Sequence, residues 1–166
     1  VRITVSTSWF VPKPHTAFQW EAQIPVEEYQ RRVDLLRDAL KRDKSITYNW
    51  HDPQTSYLEA IFSRGDRRLA DVLEWAWQHG AKSEYFDYQR WMDALSACGL
   101  DGDFYAHRVR EKDELFPWAV PSVGVSREFL WRERELCYQS VTTPDCRSRC
   151  SACGANKMLT GGRTCG

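Results

Sequence analysis

At 166 residues and 19.4 kDa the chain can bury one core, or one core plus a small appendage. Its 42% hydrophobic and 13% aromatic content, with eight Trp, excludes a disordered chain and points to broad aromatic surfaces that pack or line a cavity. Lys plus Arg equals Asp plus Glu at 23 each, so net charge gives no electrostatic case for nucleic acid or an anionic membrane. No apolar run approaches the roughly 18 residues of a membrane span and no secretory leader is visible, so a soluble cytoplasmic protein with no membrane partner is expected.

Residues 2–8 alternate apolar and polar, as a strand with one buried face does. The chain has no initiator Met and starts within this pattern, so it is expected to be a fragment. Pro12 and Pro14 force an extended exit into a stiff loop, Trp9 to Thr16, that carries Lys13 and His15. Pro25 suits the first position of a helix, with Glu27 and Glu28 in its first turn. Val26, Tyr29, Val33, Leu36 and Leu40 then recur at helical spacing. Ile46, Tyr48 and Trp50 alternate again, and strand, helix, strand in this length implies a parallel βαβ-type pair.

After His51-Asp52-Pro53 the character turns helical. Residues 55–63 read as a helix broken at Gly65, with Asp52 as its cap. Asp66 can cap a helix through His79 with Leu69, Val72, Leu73, Ala76 and Trp77 inward and Gly80 as its stop. Trp75, Trp77 and Trp91 fall at core spacing. Arg64, Asp66, Arg67 and Arg68 read as a solvated helix start, with a phosphate contact as the alternative. Asp87 can cap a helix ending at Gly99 with Trp91, Ala94 and Leu95 inward. Asp101 starts a short turn through Tyr105, residues 108–125 are looser, and Ser126 caps a last helix to about 139. Three regions are expected: 1–53, 54–140 and 141–166.

The tail is short, polar and rich in cysteine. Cys146, Cys150 and Cys153 form C-x3-C-x2-C, followed by Gly154 and later Cys165. Such gaps let thiolates converge on one centre, and Arg147, Arg149, Lys157 and Arg163 favour the thiolate. Metal ligation by these four cysteines is expected, as iron–sulfur or zinc; spacing alone does not choose, and free thiols or a disulfide are the alternatives. Too little chain follows Cys153 for this motif to open a barrel.

Lys13 and His15 follow a strand's carboxyl end, where α/β folds place ligand groups. Lys13 could pair with a carboxylate or phosphate, and His15 could hydrogen-bond or transfer a proton. Phe18 and Trp20 could exclude water; the plainer alternative is a rigid corner whose aromatics are core. His51 and Asp52 sit at a second strand end, but neighbouring strand side chains point to opposite faces, which weakens a dyad.

The run Phe10-Val11-Pro12-Lys13-Pro14-His15-Thr16-Ala17-Phe18-Gln19-Trp20, with Trp50-His51-Asp52-Pro53, Arg64-Gly65-Asp66-Arg67-Arg68-Leu69, Gly124-Val125-Ser126-Arg127-Glu128-Phe129-Leu130 and Thr143-Pro144-Asp145-Cys146, resembles the cobalamin-binding-domain-linked radical S-adenosylmethionine proteins. The resemblance implies an α/β fold: the last strands of a partial (β/α) barrel, then a mainly helical extension and the Cys-rich tail. It implies a [4Fe–4S] cluster that cleaves S-adenosylmethionine to a 5′-deoxyadenosyl radical, an electron donor, and cobalamin through an upstream domain. The catalytic cluster's cysteines are expected upstream of residue 1. Lys13, His15, Gln19, Trp20, His51 and Asp52 become candidate substrate- or cofactor-lining residues. The tail then holds an auxiliary cluster or zinc, although the resemblance expects a fourth Cys nearer than Cys165. The alternative is a non-enzymatic helical module with a zinc knuckle whose basic tail touches RNA.

Overall fold

The computed structural model describes residues 1–81 and 85–158; Cys165 lies outside the described residues. The chain is α/β, with six helices and a two-stranded parallel sheet among the described residues. It folds as two compact units, residues 1–11 with 22–108, and residues 12–21 with 109–166. These units run across the expected divisions at residues 53 and 140. Among the described residues, no helix is long and apolar enough to cross a membrane.

In the first unit, β1 (Ile3–Thr7) pairs in parallel with β2 (Ile46–Trp50), from Ile3 opposite Ile46 to Thr7 opposite Trp50. The intervening α1 (Val26–Leu40) makes the crossover that a parallel pair requires. Tyr29 and Val33 are its buried residues, while Val26 and Leu36, expected to face inward, are exposed. Parallel sheets are normally covered on both faces, yet Ile3 is 49% and Trp50 40% exposed.

Four helices follow: α2 (Pro53–Arg64), α3 (Leu69–Gln78), α4 (Tyr88–Ala97) and α5 (Gly102–Ala106). Three start on the caps the sequence signals. Asp52 accepts from the Thr55 amide at 2.8 Å, Asp87 from Arg90 at 3.3 Å, and Asp101 from Asp103 at 2.9 Å. Leu58, Ala60, Ile61, Leu69, Val72, Ala76, Ala94, Leu95 and Tyr105 make the core.

Helix α3 starts later than the sequence suggests, because Asp66 is spent one turn earlier. Its carboxylate accepts from the Arg68 amide at 3.0 Å and pairs with the Arg68 guanidinium. Leu69, Val72 and Ala76 face inward, while Leu73 is 48% and Trp77 74% exposed, against expectation. Arg64 is also not solvated. It is buried and donates to the Ala106 and Arg108 carbonyls at 3.1 and 3.4 Å, tying α2 to the end of α5.

The second unit holds one longer helix, α6 (Arg127–Tyr138), and a 3-10 turn at Ala155–Met158. Ser126 caps α6 by accepting from the Phe129 amide at 3.2 Å. Its core is aromatic: Trp20, Phe116 and Leu130 are buried, with Trp118, Val125, Phe129 and Trp131 packed against them.

Candidate functional sites

In the second unit, the Pro12-to-Trp20 loop is built around Gln19. Its side-chain carbonyl accepts from the His15 amide at 3.1 Å and from the Trp118 indole at 2.8 Å, and Gln19 itself is buried. Thr16 donates its hydroxyl to the Lys13 carbonyl at 2.8 Å. His15 adopts φ +58°, in the left-handed region uncommon for a non-glycine residue. The loop thus has a defined shape without belonging to a helix or strand. His15 and Gln19 line a cavity of about 210 Å³ with Phe116, Trp118, Arg127 and Leu130. Lys13 is exposed. Trp20 does not line this cavity: it is wholly buried, 5.0 Å edge-on from Trp131 and 5.7 Å from Phe116. Its place is the rigid corner's core.

In the first unit, His51 and Asp52 do not form a pair. The His51 carbonyl accepts the Tyr29 hydroxyl at 2.8 Å, and the Asp52 carboxylate is taken up by the Thr55 amide and, at 3.1 Å, its hydroxyl. Both side chains are exposed. The extended backbone of Asp52 places its carboxylate over the first turn of α2, which accounts for its chemistry.

In the tail, Asp145 organises a turn by accepting from the Arg147 amide at 2.8 Å. That bond first, then the Arg147 side chain, lowers its carboxyl below the usual range. Cys146 and Cys150 are exposed and Cys153 is half-buried. The Cys153 carbonyl accepts from the Ser126 amide at 2.8 Å, and Arg132 donates to the Ser151 carbonyl. Ala152 and Gly154 flank Cys153 at φ +56° and +96°. A Cβ on Gly154 would lie 3.1 Å from the Gly124 carbonyl, so glycine suits both the turn and the close approach. Among the described residues no three His, Cys, Asp or Glu side chains gather as a metal-ligand set. The donor type suits iron or zinc, since three thiols share one short segment.

No family model, curated protein or solved structure matches this chain. What it can do rests on the chemistry of its own residues.

One arrangement lies outside the motifs singled out in the sequence. A cleft of about 420 Å³ in the first unit is lined by Trp9, the starts of α1 and α2, Tyr57, Tyr88, Met92, Asp103 and His107. The Tyr57 hydroxyl donates to Asp103 at 2.6 Å, and the Tyr57 ring stacks on His107 at 5.3 Å. Burial, then that hydrogen bond, raises the Tyr57 hydroxyl far above its usual pKa, so it remains a donor. The i,i+4 spacing of Asp103 and His107 was the one local signal; Tyr57 and Trp9 join them only through folding.

Proposed function

We propose that this chain is the C-terminal part of a radical S-adenosylmethionine enzyme, carrying the last strands of a partial (β/α) barrel, a helical extension and a metal-binding tail. The observation that carries this reading is the β1–α1–β2 unit, a parallel pair with one face left exposed at Ile3 and Trp50. Parallel strands are stable when covered on both sides, so such a pair suits the end of a larger sheet. The Pro12-Lys13-Pro14-His15 loop supports it further, because Gln19 gives the motif a fixed shape and sets His15 on a cavity wall.

In this reading the cysteines of the catalytic cluster lie upstream of Val1. The chemistry such a cluster supplies when bound is one-electron cleavage of S-adenosylmethionine, with the electron coming from a donor protein. The residues of this chain would shape the site: His15 offers a ring at the cavity wall, Gln19 holds the loop, and Trp118 and Phe116 exclude water. In the tail, Cys146, Cys150 and Cys153, with Cys165 as fourth candidate, would hold an auxiliary iron–sulfur cluster or zinc. Cobalamin belongs to this reading through an upstream domain.

The full-length protein, reduced anaerobically with S-adenosylmethionine, is expected to release 5′-deoxyadenosine; none formed by a cluster-loaded protein would overturn the enzyme reading. Reconstitution of this chain with iron and sulfide is expected to give brown protein that Cys150→Ser and Cys153→Ser bleach. Colourless protein with one zinc would assign the tail to zinc instead. RNA binding that falls with salt and is lost in the same variants would favour the binding-module alternative.

A further inference from the structure

We infer that the cleft between the starts of α1 and α2 and the α5 helix is a binding site for a protonated organic amine with an apolar or aromatic body. The inference stands apart from the proposed radical chemistry, since every residue it uses lies in the first unit and none is a metal ligand.

The charges on the wall come first. Glu27 and Asp103 line the cleft, and among the described residues no Lys or Arg does. Glu27 is exposed and has no ion-pair or hydrogen-bond partner among the described residues. Asp103 uses one carboxylate oxygen, Oδ1, to accept from Tyr57, and its second oxygen has no partner among the described residues. The starts of α1, α2 and α4 reach the same cleft, and helix starts favour anions. Each already has a carboxylate: Glu27 and Glu28 in the first turn of α1, Asp52 on α2 and Asp87 on α4. Glu28 is paired with Arg31 and Arg32, so the carboxylates on the cleft wall without a cationic side chain beside them among the described residues are Glu27 and Asp103.

The acceptors decide between an amine and a cation without N–H. His107 Nδ1 lies 2.9 Å from the Gln23 carbonyl, which can only accept, so Nδ1 carries the proton. In the neutral ring Nε2 is then a bare acceptor, and it stands 3.7 Å from Asp103 Oδ1, another acceptor. Two acceptors cannot bond each other, and at this spacing a ligand with two N–H groups can donate to both. An ammonium N–H supplies one to each.

The rings select the body of the ligand. Tyr29, Trp9, His107 and Tyr57 form a ladder with centroid steps of 5.2, 6.1 and 5.3 Å, and Tyr88 stands 6.5 Å from Tyr57. Trp9, Tyr57, Tyr88 and Met92 therefore give the cleft an apolar, electron-rich wall that suits a cation and its hydrocarbon.

The test is calorimetric titration of the whole chain, free of metal and S-adenosylmethionine, with three probes sharing one ring. These are 2-phenylethylamine, 2-phenylethanol and phenylacetate. The amine is expected to bind about tenfold more tightly than the alcohol, and phenylacetate not at all. Asp103→Asn should weaken amine binding about fivefold or more and leave the alcohol unchanged. Glu27→Gln, at a site with no partners to lose, should weaken it about twofold and serves as the variant whose fold is not in question. Equal binding of amine and alcohol, tighter binding of phenylacetate, no binding of any probe, or an amine affinity unchanged in both variants would each overturn the inference. None of these outcomes depends on whether the tail holds a metal or the full-length protein makes radicals.

Discussion

The two units bury their cores by different means. The first packs small and branched aliphatic residues from α2, α3 and α4, where Ala60, Ile61, Val72, Ala76 and Ala94 have no exposed surface. The second gathers rings and guanidinium groups from distant parts of the chain. Arg127 lies over Phe116 at 4.6 Å, Arg110 over Trp118 at 5.1 Å and Arg134 over Trp131 at 4.7 Å. A helical unit can fill its interior with side chains that recur every turn, because neighbouring helices offer matching ridges. A unit with one longer helix has no such repeat. It fills its interior with large rings and covers them with cations whose charge the rings partly offset.

The sharpest way to break this contrast is to remove the ring at its centre. Trp20→Ala should cost about 3–5 kcal/mol in urea unfolding followed by circular dichroism, against about 1 kcal/mol for Ile61→Val in the aliphatic core. Similar losses for the two would mean that the aromatic cluster is peripheral. Next comes Arg110→Met, which removes a buried guanidinium bonded to Glu114 at 3.0 Å. It should cost about 2 kcal/mol, because a carboxylate with 22% exposure loses this ion pair.

In the first unit, Gly102→Ala would bring a Cβ within 2.5 Å of the Tyr57 hydroxyl and 2.8 Å of Ile61 Cδ1. The expected loss is about 1–2 kcal/mol, and a shift of the Tyr57 ring signals by NMR would trace the clash to the cleft. Asp52→Ala and Ser126→Ala, one cap per unit, should each cost about 1 kcal/mol. Their equality would show that capping is indifferent to the kind of core beneath.

The smallest effect is alkaline. The hydroxyl of Tyr57 is raised in the folded state, so the protonated form favours folding. Its contribution is full below the ordinary tyrosine value of about 10 and is lost as pH rises beyond it. Tyr57→Phe should flatten that part of the stability profile, measured by urea midpoints at successive pH values.

Several features were legible without coordinates because their physics is local. Asp52, Asp87, Asp101 and Ser126 cap helices through atoms two or three residues away, and Pro25 with Glu27 and Glu28 marks a helix start by the same short range. The parallel pairing of β1 and β2 was legible because a strand, a helix and a second strand leave little other option. The rotation of α3 was not. Leu73 and Trp77 fit the apolar period as well as Val72 and Ala76 do, and only the neighbouring helix α4 chooses between them.

The candidate sites divide in the same way. Sequence marked the Lys13-to-Trp20 loop and the tail cysteines, since unusual composition shows in the chain itself. It did not reveal that Gln19 is the residue that holds the loop, because its partner Trp118 is far away in the chain. Nor did it assign Trp20 to the core rather than to a cavity wall. The cleft of Trp9, Tyr57, Asp103 and His107 was invisible for the same reason: its residues come from separate segments, and only tertiary packing gives them a common wall. What the sequence determined by itself is where both strands and the helices other than α3 begin, because caps and periodicity act within a turn or two. Which face is buried, and which side chains meet, was decided by the fold, because burial depends on neighbours that local spacing does not name.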